Sequence, residues 1–183
     1  IKSRIHGCGL VQLEASDASS LPILHFLSYT YSNCKSIFEF ICSDICPIDH
    51  VVTQTGELIA SIKTVPLKNF IEEVFTIRKI FDAFWVLPAS ASYHHAYPGG
   101  LALHSLEVAR FAASATHLAP HERDLVIVGG LLHDIGKCAS YTSELRNSEQ
   151  ALAIGHEQLG LMLIEKQLAS LDRHWADGAL ALR

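Results

Sequence analysis

No uninterrupted apolar run in this chain reaches the length of about 18 residues that a membrane span requires, and no signal-peptide pattern opens it. The sequence therefore reads as cytosolic, with no membrane partner. An excess of basic charge is also missing. The formal charge is -5, 18% of residues are charged and 49% are hydrophobic, an ordinary globular balance that excludes a disordered or polybasic chain. Global charge gives no sign of a nucleic-acid partner, although a local basic patch or bound cations can still handle phosphates. Paired cysteines are absent too. The five, an odd number, stand at Cys8, Cys34, Cys42, Cys46 and Cys138 without a repeated close pair, which argues against a zinc ribbon or a disulfide framework and for free thiols in a reducing compartment. Cys42 and Cys46 are four apart and would share a helix face as small buried residues. No internal repeat or low-complexity tract interrupts the 183 residues, enough for one domain or one and a half.

The chain starts at Ile1 and stops at Leu182-Arg183 within a helical pattern, so it reads as part of something longer. The residues up to about 20 form an irregular entry segment with short strands possible. From Leu21 to Ile45 the apolar residues Leu24, Leu27, Tyr31, Ile37, Phe38 and Ile41 recur at helical intervals with gaps, predicting one or two helices. Thr55-Gly56, between β-branched stretches, predicts a small hairpin within Val51 to Thr64. Pro66 suits the first turn of a helix running through Phe70, Val74, Ile77, Ile80, Phe81 and Phe84, which Pro88 ends. A loop, ASASYHHAYPGG, leads into three helical stretches at roughly 101–117, 122–135 and 149–170. The expected organisation is a segment of unclear role over 1–65, mostly helical with a hairpin, followed by a helical domain over 66–183. The expected fold is all-α.

What is abundant is histidine, 11 of 183 residues, and its placement carries the chemistry. Leu101, His104, Val108 and Phe111 fall on one helical stripe, turning His104 towards the core. The next helix is apolar nearly all round yet ends in the adjacent ionisable pair His133-Asp134. A buried carboxylate there demands a cation, and an imidazole nitrogen beside a carboxylate oxygen is a donor set that suits zinc, manganese or iron. Gly129-Gly130 would admit a close neighbouring helix, and Gly136 reads as a left-handed helix terminator. On the third helix Leu152, His156, Leu159 and Leu163 share a stripe, so His156 is either a structural histidine or a ligand. His94 and His95 precede the first of these helices in a loop, where substrate binding or outer ligation competes with plain surface exposure. Tyr93 and Tyr97 flank that pair and either stack a base or pack.

A histidine on one helix followed by HD on the next, within LLHDIGK, resembles the HD superfamily of metal-dependent phosphohydrolases. The longer string LPASASYHHAYPGGLALHSLEVA, with LLHDIGK and GHEQLG after it, is similar to two branches in particular. One is the HD domain of bacterial 3′-5′ exoribonucleases; the other is the helical domain of relaxase and helicase-like proteins of conjugative elements, to which the LPAS…HH…GGL…HSLEVA wording stands nearer. The resemblance covers about residues 66–168. It implies an HD-type helical bundle, metal ligation by His104, His133 and Asp134, and His156 as ligand of a second ion. It also implies that Lys137 faces the substrate phosphate. HD proteins close the site with a later aspartate. Only Asp172 and Asp177 lie downstream here, nearer to Asp134 than that residue usually is, so the resemblance points to a closing ligand beyond Arg183 and a C-terminally truncated domain.

The expectation is one or two divalent ions (Mn, Zn, Fe or Mg) and a metal-dependent phosphohydrolase acting on a nucleotide or nucleic-acid phosphoester. Asp134 would ligate the ion and orient a water, while Lys137 with His94 or His95 would neutralise charge on the phosphoryl oxygens. The competing expectation is a non-catalytic module of a conjugative DNA-transfer protein that positions DNA, partner domains or transfer machinery. A nucleotide-sensing regulatory domain is the third.

Overall fold

The computed structural model describes residues 9–16, 23–31, 36–142 and 146–183. The chain divides into two compact units, Ile1–Phe40 and Ile41–Arg183. In the first, strands β1 (Gly9–Ser16) and β2 (Ile23–Tyr31) pair antiparallel, with a register irregularity between Gln12 and Leu13. The helix predicted from Leu21 onwards is thus a strand followed by short 3-10 turns at Ile37–Phe40 and Ser43–Ile45. The spacing of Leu24, Leu27 and Tyr31, three residues and then four, follows the helical period and not the alternation of a strand, so it misleads here. The Ile, Phe, Thr and Tyr content of ILHFLSYTY favours the extended form.

From Ile41 on, the described residues are helical, with one isolated bridge between Tyr141 and Asn147. The hairpin predicted at 51–64 is instead helix α1 (Val51–Ala60). Val51, Val52, Thr55 and Ile59 are its buried residues, a stripe at helical spacing, and Gly56 is accommodated as an ordinary helical residue. The single helix predicted from Pro66 to Phe84 is two, α2 (Val65–Phe75) and α3 (Arg78–Phe84). The break is local: the Thr76 hydroxyl donates back to the Glu73 carbonyl and Ile77 adopts extended backbone angles. Pro66 does stand in the first turn of α2. The break folds Phe75 of α2 against Phe84 and Trp85, with ring centroids 5.0, 5.6 and 5.0 Å apart and all three side chains fully buried.

Helices α4 (Gly100–Ala113), α5 (Pro120–Leu132), α6 (Lys137–Ser140), α7 (Glu149–His174) and α8 (Ala176–Ala181) complete the unit. α4 lies directly on α5, and α7 packs against α2, α6 and α8. Of the cysteines, Cys42 is exposed while Cys46 and Cys138 are buried, so the first pair does not share a face; burial pushes the Cys138 thiol up to about 12. Cys8 and Cys34 lie outside the described residues.

One buried carboxylate ties α5 to the backbone between α1 and α2. Asp124, 2% exposed on α5, accepts at Oδ2 from the Lys63 N–H at 3.0 Å, the Thr64 N–H at 2.8 Å and the Thr64 hydroxyl at 2.8 Å. It therefore fixes the backbone that enters α2. Asp124→Ala leaves three donors without that acceptor and is expected to cost about 3 kcal/mol, read as a lower urea midpoint at unchanged slope. An unchanged midpoint would remove this joint from the account of the fold.

Candidate metal centre

The site begins with the way α4 meets its neighbours. Its buried residues are Gly100, Leu101, Ala102, Ser105, Leu106 and Ala109, so the buried face passes beside His104 rather than through it. The imidazole stands at the edge of that face, 18% exposed, and Phe111, predicted inward, is 82% exposed. An edge position suits a ligand, because the nitrogen must reach an ion open to substrate. α5 approaches closely through Gly130, where a Cβ would stand 2.5 Å from Ala109 Cα; Gly129 meets nothing nearer than Leu182 Cδ2 at 4.0 Å. This brings the C-terminal end of α5 level with His104.

His133 and Asp134 follow Leu132, in the turn that joins α5 to α6. His133 Nδ1–H donates to the Gly130 carbonyl at 2.8 Å, which orients the ring and presents Nε2. Nε2 lies 3.3 Å from His104 Nε2 and 3.3 Å from Asp134 Oδ2, and His104 Nε2 lies 3.7 Å from Asp134 Oδ2. Three donors thus converge on one point. A tetrahedral ion with bonds of roughly 2.0–2.2 Å to N and O has ligand-to-ligand edges of about 3.3–3.6 Å. The triangle, with edges of 3.3, 3.3 and 3.7 Å, is close to that of such an ion.

The electrostatics agree with that fit at His104 and Asp134, whereas His133 favours its charged form beside Asp134 and must give up a proton to ligate an ion. Burial and the neighbouring His133 hold His104 below the ordinary imidazole value, which leaves it neutral as a ligand must be. Burial by itself would raise the Asp134 carboxyl, but hydrogen bonds from His133 and Lys137 and their charge outweigh it and keep the group well below the carboxylate range. His133 is raised, first by its hydrogen bond to Asp134. Lys137 Nζ donates to Asp134 Oδ2 at 2.7 Å, so the cation this carboxylate requires is in part supplied by the chain.

His156 reaches the other oxygen of the same carboxylate, with Nε2 3.0 Å from Asp134 Oδ1. It can do so because α7 is broken: Gly155 has φ 80 and ψ 160, and His156 opens the longer segment. Upstream of the break the predicted stripe fails, with Leu152 72% exposed. Gly136 is not the left-handed terminator predicted, since its angles are right-handed helical (φ -64, ψ -19). What requires glycine is contact: a Cβ at Gly136 would stand 1.7 Å from the His156 carbonyl oxygen.

His94 and His95 are drawn into the same neighbourhood, their ring centroids 5.1 and 5.3 Å from that of His104. Asp172 and Asp177 are exposed and join none of the metal-capable groups among the described residues. Sequence reasoning missed the far wall of the site. A cleft of about 420 Å³ opens beside Lys137 and His156, and Tyr93, Tyr141, Arg146 and Asn147 line it further out. No Asp or Glu lines this cleft among the described residues; its cationic side chains are Lys137, which is paired with Asp134, and Arg146. Tyr141 and Arg146 carry no periodic signal, and only the fold sets them against the HD turn. Tyr97 stays outside the groove, against His95.

Comparison with known proteins adds to this geometry. Residues 101–179 match the model of the HD domain. The chain is 31% identical over 90 residues to the 3'-5' exoribonuclease YhaM of Listeria innocua, covering 49% of this chain and 28% of that protein. It is 39% identical over 62 residues to YhaM of Listeria monocytogenes (33% of this chain, 20% of that protein), and 28% identical over 103 residues to YhaM of Bacillus velezensis (56% and 32%). The chain thus spans about a fifth to a third of the length of these relatives. No solved structure matches. The matched stretch opens on the helix of His104 and runs through His133, Asp134 and His156 into α8, so residues 101–179 are an HD domain.

Proposed function

We propose that the helical unit is a metal-dependent phosphodiesterase that removes nucleotides from a single-stranded RNA end. The observation that carries the reading is the convergence of His104 Nε2, His133 Nε2 and Asp134 Oδ2 on one point, beside a groove without carboxylates. A divalent ion held by those three groups would polarise a phosphoryl oxygen and bring the pKa of a bound water towards about 7. His156, on the Oδ1 side of Asp134, is the ligand through which a second ion would be held. Lys137 borders both Asp134 and the groove, and its ammonium group can turn to the non-bridging oxygens of an incoming phosphate. Water adds to phosphorus, the ester P–O bond breaks, and the departing hydroxyl leaves with a proton. Tyr93, 82% exposed at the rim, offers a face for a base, and Arg146 lines the same wall for the backbone.

The relatives are named exoribonucleases, which favours the nuclease branch of the two the sequence resembles over the conjugative one. One observation favours the non-catalytic reading: Lys137 already neutralises Asp134, so the turn is stable in charge without an ion.

Incubation of the chain with a short single-stranded RNA and Mn(II) or Zn(II) separates the two. The expected result is stepwise release of mononucleotides from the 3′ end, stopped by EDTA and restored by added metal. No cleavage of RNA, DNA or an aryl phosphodiester by a chain shown to hold metal would sink the enzymatic reading and leave the module.

A further inference from the structure

A second cluster lies just upstream of the stretch that matches the HD domain. His94 and His95 come from the loop between α3 and α4, and each offers a ring nitrogen that, with one from His104, falls in a group spanning no more than 4.8 Å. The loop holds these rings by its own hydrogen bonds. The Ala89 N–H donates to the His95 carbonyl at 3.0 Å, the Ser90 hydroxyl to the His94 carbonyl at 2.9 Å, and the Tyr93 N–H to the Ser90 hydroxyl at 2.9 Å. His95 sits at φ 53, in the left-handed region that non-glycine residues seldom occupy. It is clamped there by the close approach of Gly100, where a Cβ would stand 2.1 Å from the His95 carbonyl oxygen. Backbone held in that region by its surroundings is typical of functional sites.

The His95 ring has one satisfied nitrogen and one idle one. Nε2 lies 3.0 Å from Glu107 Oε2, while Nδ1 is buried with no hydrogen-bond partner. An imidazole that donates one N–H to a carboxylate presents the lone pair of its other nitrogen, the arrangement that orients metal-bound histidines. A buried polar atom without a partner calls for an explanation. Two further imidazoles lie beside the ring, with centroids 5.8 and 5.3 Å away, and an ion shared among the three supplies one.

We propose that His94, His95 and His104 form a second transition-metal site, distinct from the centre on Asp134, with Glu107 as the positioning residue behind His95. Its donors are all imidazole nitrogens, which selects zinc, copper, nickel or iron over magnesium. Three histidines leave one position of a tetrahedral ion open to water or to a phosphate oxygen. His104 belongs to both groups, so the two centres are neighbours. The proposal does not rest on RNA hydrolysis.

The test removes the first centre and asks what remains. In a chain carrying His133→Ala and Asp134→Asn, Zn(II) titration and elemental analysis after gel filtration are expected to show one ion per chain. Co(II) in its place is expected to give the visible bands of a nitrogen-ligated low-coordinate ion. Adding His94→Ala, a change at an exposed position, with His95→Gln is expected to remove that ion, and Glu107→Gln to weaken it roughly tenfold. Circular dichroism checks that each variant is folded, and His94→Ala alone carries the test if His95→Gln is not. No ion in the His133→Ala, Asp134→Asn chain, or an ion unaffected by loss of His94 and His95, overturns the proposal. If the wild-type chain meanwhile binds an ion through Asp134, the reading of the first centre stands.

Discussion

Asp134→Asn is expected to lower kcat/KM for RNA by at least a thousandfold, a loss of about 4 kcal/mol of transition-state stabilisation, while leaving the fold intact. The size follows from how many roles meet in one carboxylate. Oδ2 faces His104, His133 and Lys137, at 3.7, 3.3 and 2.7 Å, and Oδ1 faces His156 at 3.0 Å. An amide keeps the shape but loses the negative charge, so the ion is held weakly, His133 loses its acceptor, and Lys137 is left without its counter-ion. Lys137→Ala is expected to be milder, because it leaves His104, His133 and Asp134 in place and removes one donor and counter-charge of Asp134. The readout is the steady-state rate together with metal content per chain. Retention of more than a tenth of wild-type activity in a fully folded Asp134→Asn chain would show that hydrolysis occurs elsewhere.

The HD turn was the most legible part of the chain because burial and charge conflict there: an apolar helix should not end in two ionisable residues unless they have partners. The same reasoning found His104 and His156 by their phase, but it placed both too deep. Helical phase reports which way a side chain points. It does not report where the neighbouring helix stops, and on α4 the buried face passes through Ser105 and Ala109, beside His104. A break such as Gly155, which resets the phase before His156, is equally silent in the spacing of apolar residues.

Regions with short apolar runs were read less well. The strand Ile23–Tyr31 and the helix Val51–Ala60 were each assigned the other's kind of structure. Both are ten residues or fewer, too short for the period alone to decide, and the Thr-Gly pair in α1 imitates a turn signal. The loop before α4 reads in sequence as a surface loop. Its backbone instead bonds back at Val86, Leu87 and Ala89, through Gly99, Leu101 and His95, and this fixes the two histidines beside His104. None of these contacts leaves a trace in spacing, because each joins residues about ten or more apart or within an irregular turn.

Gly136→Ala is expected to be among the most damaging single substitutions in the helical unit, although it adds one methyl group. The added Cβ would stand 1.7 Å from the His156 carbonyl oxygen and 2.6 Å from the Gly160 nitrogen, and both are backbone atoms that no rotamer change can move aside. The turn and α7 must therefore separate, at an expected cost of roughly 3–5 kcal/mol, above the usual range for overpacking because backbone is displaced. For a unit of this size that corresponds to a fall in Tm of about 10 °C. Activity should fall further than stability explains, because Gly136 lies between Asp134 and Lys137, and separation carries His156 away from Asp134 Oδ1. Gly129→Ala is the internal control. Its nearest new neighbour is Leu182 Cδ2 at 4.0 Å, and alanine in a helix is favoured over glycine by about 1 kcal/mol, so that variant should melt at or above the wild-type temperature. Thermal denaturation of the two variants side by side decides the matter: equal melting would mean that the HD turn does not rest on α7, and the link from fold to metal centre would have to be redrawn.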